Sequence, residues 1–385
     1  MNITVSRKSL QSALDIAVQY ADKKSTIPIL THVRIGAVGE SMTLQCTDLE
    51  LSATVPLAGA KMLKEGTAIV DARKLHKLVK ALPDSEVRIE TDAVTPERQT
   101  VKLACESTQA MLPTMQEDNW PKLASPPEKR ISLDAPLLET LLGKTRYAVS
   151  EDNSRYALNV SLLVAADGKL RSVATDGHRE VIAESREPWA GESFSWLLPK
   201  KYIDALRMLL RKREGTVELA RDNDGQLFAV VGGTIVQSRA LTGNFPSWER
   251  VVPKAEGDEY PCRFVVDSKP LAAAVKRALL GADECNRGLR FTVDSDLTVR
   301  GESSDFGIVE ERVTLRKPVG DGWFAANGEY VLEAIENMAE GPVSIAFDPD
   351  RNKASEAEGC SKAFVIRPLA EEDVKVLAIL MPMRL

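Results

Sequence analysis

Thr175-Asp176-Gly177-His178-Arg179 brings a carboxylate, an imidazole and a guanidinium together around one glycine. Such a group could do acid–base chemistry, present side chains to a partner, or simply reverse the chain, since Asp and Gly are what a tight turn needs. Catalysis with His178 and Asp176 would need a nucleophile or a metal set beside them, and no neighbouring residue provides one. No G-x-S-x-G occurs. Gly143-Lys144-Thr145 imitates the end of a phosphate loop, but Leu138 stands where its first glycine must be. Gly232-Gly233 reads as a turn, and Glu371-Glu372-Asp373 as a solvated face. The three histidines (His32, His76, His178) show no i, i+4 spacing, and the five cysteines (Cys46, Cys105, Cys262, Cys285, Cys360) include no C-x-x-C pair. The sequence therefore predicts no catalytic residue, no metal site and no cofactor, with thiols that are reduced and mostly structural.

The body that holds this stretch is large. Its 385 residues predict two or three domains, and 44% hydrophobic with 28% charged residues is the balance of a globular chain. No run approaches the roughly 20 apolar residues of a membrane helix. Met1-Asn2-Ile3-Thr4-Val5 lacks the layout of a signal peptide, so the expected location is the cytoplasm and no membrane partner is expected. With 50 basic against 56 acidic side chains the net charge is −6. Taken alone, that balance argues against nucleic acid, which is held largely by phosphate neutralisation.

Periodicity organises the rest. Ile3-Thr4-Val5-Ser6 leads into Leu10, Ala13, Leu14, Ala17 and Val18, a short strand feeding an amphipathic helix. The pattern returns at Ile131-Ser132-Leu133-Asp134 before Leu137, Leu138, Leu141 and Leu142, and at Phe264-Val265-Val266-Asp267 before Leu271, Ala274, Val275 and Ala278. The steps are 128 and 133 residues. A second helix keeps the period, starting near Ala72, Pro199 and Asn327, each time followed by a strand (Glu86–Ile89, Val217–Leu219, Val343–Ile345). Strands broken by two separate helices, without strict alternation, predict an α+β chain of three equivalent units with antiparallel sheets. Pro-rich joints near 120–127 and 245–261 set the expected domains at 1–126, 127–253 and 254–385.

Basic residues cluster locally. Arg73, Lys74, Lys77 and Lys80 share one helix, and Lys200, Lys201, Arg207, Arg211, Lys212 and Arg213 the equivalent one in the second unit. The third unit's equivalent carries Glu329, Glu333, Glu336 and Glu340 instead. The chain closes on Met381-Pro382-Met383-Arg384-Leu385, more apolar than a fraying tail requires, which predicts a last strand whose end lines a groove.

The three-unit layout, Thr175 to Arg179, Thr26-Ile27-Pro28-Ile29-Leu30, Thr47-Asp48-Leu49-Glu50, Phe245-Pro246 with Arg250-Val251, and the closing Met-Pro-Met-Arg-Leu together resemble the bacterial DNA polymerase III β subunits, the sliding clamps, over essentially the whole chain. The resemblance implies three tandem clamp domains with sheets outside and two helices each inside. Two chains would join head to tail as a homodimeric ring around duplex DNA. Topological retention needs only weak, sequence-independent phosphate contact, so an acidic body is compatible with a basic inner wall.

By that resemblance Lys24, Arg73, Arg155, Tyr156, Lys200 and Lys201 face DNA. A pocket for short peptides of the polymerase α subunit, the clamp loader and other partners comprises Leu158, Thr175, Gly177, His178, Arg179, Pro246, Arg250, Val251, Asn327, Tyr330, Ile379, Met381, Pro382, Met383, Arg384 and Leu385. The dimer joint is expected to pair Ala110 and Leu112 with Leu279 and Leu280. The chain departs from the family pattern at Glu180 and Asn286, where apolar residues are common, and in a longer segment 363–375. A monomeric, peptide-binding scaffold that does not close a ring is the alternative.

Overall fold

The computed structural model describes residues 1–95, 98–211, 213–239, 241, 243–253, 260–338, 340–349, 362–370 and 372–385; side chains of 92–99 and 153 are outside that description. Lys212, Cys360, Glu371 and residues 254–259 of the second joint thus lie outside the described residues.

The first third runs β1 (Asn2–Ser6), α1 (Arg7–Ala17), β2 (His32–Val38), β3 (Ser41–Thr47), β4 (Leu51–Pro56), β5 (Lys61–Lys64) and β6 (Gly66–Asp71). It continues with α2 (Ala72–Ala81), β7 (Glu86–Thr95), β8 (Arg98–Cys105) and β9 (Thr108–Pro113). The second is β10 (Ile131–Asp134), α3 (Ala135–Thr145), β11 (Val160–Ala166), β12 (Lys169–Thr175), β13 (Arg179–Ser185) and β14 (Phe194–Pro199). Then come α4 (Lys200–Leu210), β15 (Thr216–Arg221), β16 (Leu227–Val231) and β17 (Thr234–Ser238). The third is β18 (Cys262–Asp267), α5 (Ser268–Ala278), β19 (Gly288–Val293), β20 (Asp296–Ser303), β21 (Gly307–Thr314), β22 (Arg316–Val319) and β23 (Gly322–Asn327). It ends with α6 (Gly328–Asn337), β24 (Pro342–Phe347), β25 (Phe364–Pro368) and β26 (Val374–Leu380). The strand–helix–strands–helix–strands order appears three times, as the periodicity requires.

Helix starts follow local chemistry. Ser6 caps α1 by accepting from Ser9 N (3.1 Å), and Asp71 caps α2 by accepting from Lys74 N (2.8 Å). Asn327 caps α6 from its side-chain oxygen, reached by Glu329 N (2.9 Å) and Tyr330 N (3.3 Å). Buried Leu10, Ala13, Leu14 and Ala17 of α1, and Leu271, Ala274, Val275 and Ala278 of α5, are the stripes read from sequence. None of the described helices is long and apolar enough to cross a membrane.

Packing follows sheets rather than the threefold repeat. The chain forms two compact units, Met1–Ala135 with Asp204–Leu241, and Pro136–Ile203 with Thr242–Leu385. In the first, one sheet orders β5-β1-β7-β8-β9, and an eight-stranded sheet orders β10-β15-β16-β17-β4-β3-β2-β6, so strands of two successive repeats hydrogen-bond in one ladder. In the second, a nine-stranded sheet orders β14-β11-β12-β13-β26-β25-β24-β18-β22, beside a four-stranded sheet β21-β20-β19-β23. The junction here is β13 with β26, paired antiparallel from Arg179↔Leu380 to Ser185↔Val374. Around the long segment 363–375, β25 and β26 pair antiparallel from Phe364↔Leu380 to Ile366↔Ala378.

Candidate partner-binding groove

The turn between β12 and β13 is fixed by its own side chains. Asp176 Oδ1 accepts from His178 N (2.9 Å) and Arg179 N (3.0 Å), and Thr175 Oγ1 accepts from Gly177 N (3.1 Å) while donating to Arg179 O (2.7 Å). Gly177 takes φ +88°, a conformation that costs glycine little. His178 is thereby held exposed at the tip, its ring stacked 6.2 Å from that of Tyr330.

Arg179 is the hub beneath it, 8% exposed. Its Nε donates to Asp176 Oδ2 (3.0 Å), its Nη2 to Tyr147 O (2.8 Å), and its Nη1 pairs with the Glu333 carboxylate. Its guanidinium carbon lies 4.3 Å from the Tyr330 ring centre and 5.2 Å from that of Tyr147. A guanidinium with all three nitrogens engaged inside the chain works as a wall. Burial pushes the Tyr147 phenol well above its usual range, and its hydroxyl has no partner. Around this hub lies a cavity of about 520 Å³ whose lining includes Arg146, Tyr147, Arg155, His178, Arg179 and Tyr330.

The C-terminal residues are tied to the same place. Met381 N donates to His178 O (2.9 Å) and Met383 N to Ala325 O (2.9 Å). A Cβ on Gly288 would come within 2.3 Å of Leu385 Cδ2 and 3.4 Å of Met383 Sδ, so glycine there makes the room in which the tail lies. Met381 (43% exposed) and Leu385 (63%) still offer apolar surface.

Strand alternation divides the remaining candidates. Arg179, opposite Leu380, points toward α6, whereas Glu180, opposite Ile379, faces the other way. On that second face Leu162, Val173, Ile182 and Ile379 form a core cluster, covered by Phe245, Trp248, Val251 and Val252. Pro246 and Arg250 are exposed on the covering loop, and Leu158 is half-buried beside Gly177. Asn327 is engaged by its α6 cap and by donating to Asn286 O (3.3 Å). Glu180 is 5% exposed, its Oε1 is without a partner, and burial together with Glu249 raises its carboxyl to about 7.

The DNA candidates are spread over the fold. Lys24 and Lys201 are exposed, and Tyr156 is 65% exposed. Arg73 is half-buried and donates to Ala21 O (3.5 Å), bracing the loop that carries Lys24. Arg155 Nη1 donates to Asp176 O (3.4 Å), and Lys200 pairs with Glu151. The acidic α6 is answered by its neighbours, Glu329 by Arg287 (3.2 Å) and Glu336 by Lys276 (2.6 Å), and Glu340, which lies beyond the end of α6, by Lys269 (3.4 Å).

Of the dimer candidates, half-buried Ala110 and Leu112 lie on β9, an edge strand, and Leu280 is 67% exposed. Leu279 turns inward, its Cδ2 lying 2.8 Å from the Cβ position of Gly328.

Sequence reasoning omitted Tyr147, Asp176 and Glu333 from the site. Glu333 was legible one turn after Tyr330 on α6, an i, i+3 pair on one face. Tyr147 carried no local signal. Among the described residues no group of three or more His, Cys, Asp or Glu is placed to hold a metal ion. Cys46, Cys105 and Cys262 are buried thiols outside any disulfide, Cys262 Sγ donating to Asp321 O (3.0 Å), and the Cys285 thiol is exposed.

Three family models match in succession: the DNA polymerase III beta subunit N-terminal domain over residues 1–124, its central domain over 132–247 and its C-terminal domain over 249–384. The chain is 27% identical over 379 residues to a beta sliding clamp of Pseudomonas aeruginosa, covering 96% of this chain and 100% of that one. It is 27% identical over 396 residues to a beta sliding clamp of Caulobacter vibrioides, covering 100% of both. The crystal structure of the Pseudomonas aeruginosa DNA polymerase III subunit beta superposes with a TM-score of 0.87 at 26% identity over 100% of both chains.

Proposed function

The chain belongs to the DNA polymerase III beta subunit family, the sliding clamps, and on that premise we propose that it is a replication processivity factor that encircles duplex DNA. The observation that carries this reading is the ordered match of all three domains, with the strand–helix–strands–helix–strands unit repeated three times in the fold. It is a non-enzymatic function: the protein tethers and does not transform. Clamp domains are assigned to 1–126, 127–253 and 254–385, and the location to the cytoplasm.

Two copies join head to tail, with the β9 edge around Ala110 and Leu112 meeting the region of Leu279 and Leu280 in the other copy. Exposed β-edges and apolar side chains favour such pairing. Lys24, Lys201, Tyr156 and Arg155 are the surface groups for DNA, with Lys200 and Arg73 close behind; their contacts are to phosphates and independent of sequence. The polymerase III α subunit, the clamp loader and other partners insert short peptides against His178, Tyr330, Val251, Ile379 and the tail from Met381 to Leu385. Arg179 acts there as a rigid wall.

Size-exclusion chromatography with light scattering at micromolar concentration tests the ring. The expected particle is twice the 42.1 kDa chain. A strict monomer that still binds partner peptides would replace the ring by a monomeric scaffold.

A further inference from the structure

Glu180 is a carboxylate in an apolar setting. Its strand neighbours on the same face are Ile182 two residues on, Ile379 across one ladder and Thr175 across the other, and the cover is the loop bearing Trp248 and Val251. It is 95% buried, and its Oε1 meets no donor. A buried acceptor left unsatisfied costs free energy, and a buried carboxylate without a cation costs more. Among the described residues the charged group acting on it is another carboxylate, Glu249, exposed on the covering loop. Farther along the same face Glu184 is already answered by Arg171 (2.6 Å) and Lys169 (3.1 Å).

The loop over Glu180 is short and is held to the sheet by side chains, with Phe245, Trp248, Val251 and Val252 on the core cluster and the Arg171 guanidinium 5.8 Å from the Trp248 ring centre. Its turn rests on Trp248 N to Pro246 O (2.7 Å), Arg250 N to Ser247 O (3.3 Å) and Val251 N to Trp248 O (3.1 Å), all internal to the loop.

We propose that Glu180, with Glu249 above it, makes this part of the groove select partner segments that insert a lysine or arginine beside Ile379 and Val251, in place of a purely apolar anchor. The inference rests on the partner-groove reading above and names the chemistry of the partner. The aliphatic stem of such a side chain suits the apolar walls, and its charged head would supply the missing donor to Glu180 and lie between two carboxylates. Complementary charge then discriminates partners as much as it binds them.

The test is an array of labelled nonapeptides in which each apolar position is leucine or lysine, with affinities measured by fluorescence anisotropy on the full-length protein. Wild type should bind the best lysine-bearing peptides about tenfold more tightly than their leucine counterparts. Glu180→Leu, which only extends the apolar face, should reverse that order, and Glu180→Gln, which keeps the shape without the charge, should lose most of the preference. If wild type and Glu180→Leu rank the peptides alike, the proposal is overturned. If no peptide binds either protein, the partner-groove reading itself fails and this inference falls with it.

Discussion

Two turns 128 residues apart are built alike and used differently. In Thr47-Asp48-Leu49-Glu50-Leu51, Thr47 Oγ1 accepts from Leu49 N (3.0 Å) and donates to Leu51 O (3.1 Å), while Asp48 Oδ1 accepts from Glu50 N (3.0 Å) and Leu51 N (2.7 Å). Asp48 N donates to Leu51 O (3.1 Å). Each of these bonds has its counterpart in Thr175 to Arg179. Thr and Asp therefore make the turn, and the residues between and after them make the site. Where the second turn has glycine at φ +88°, the first has Leu49 at φ +74°. Where the second has Arg179 gripping Asp176, Tyr147 and Glu333, the first has a buried Leu51. Where the second has Glu180 paired with Thr175, the first has Ser52 paired with Thr47.

The comparison breaks most visibly at Arg179. Replacing it by the residue of the first turn, Arg179→Leu, leaves Asp176, whose side chain is 12% exposed, without its cation. A loss of about 3 kcal/mol in urea denaturation is expected, typical of breaking a buried pair. A loss no larger than that of a surface substitution would mean that the arginine is not the hub.

The next effect is in pH. The Glu180 carboxyl is raised to about 7 in the fold, against about 4.3 in an unfolded chain, so the folded state holds this proton more tightly. The stability so contributed is whole below about pH 4 and disappears as pH rises through about 7. Between pH 5 and pH 8 the wild type should lose about 2 kcal/mol more than Glu180→Ser, the variant that copies Ser52. Parallel stability–pH curves for the two proteins would remove Glu180 as the titrating group.

The smallest effect sharpens the contrast in backbone. Leu49→Gly should raise stability by about 1 kcal/mol by relieving a left-handed leucine, and Gly177→Leu should lower it by a similar amount. Thermal melts of the two variants shifting in the same direction would show that side-chain packing, not φ, governs these turns.

Much of this was legible in sequence because it is local or periodic. The helix stripes and the strands from Ile3 to Ile345 follow from spacing. The conspicuous Thr175-Asp176-Gly177-His178-Arg179 marked the loop on which Arg179 meets Asp176, Tyr147 and Glu333. The wrong inference would have been to read its Asp–His pair as chemistry, since Asp176 is occupied by backbone amides and Arg179. What sequence did not announce was Tyr147, whose only qualification is to lie under Arg179, or the engagement of Asn327 in a cap.

The sequence by itself determined the three repeats, their helices and strands, and the turn chemistry of Thr47–Leu51 and Thr175–Arg179, because these depend on side chains within a few residues of one another. Only the tertiary structure decided that strands of successive repeats share one ladder, that Gly288 makes room for a tail almost 100 residues later, and that Glu180 faces Ile379 with its Oε1 unsatisfied among the described residues. Those outcomes depend on which strand lies beside which, and register across a sheet sends neighbouring residues such as Arg179 and Glu180 to opposite faces with opposite fates.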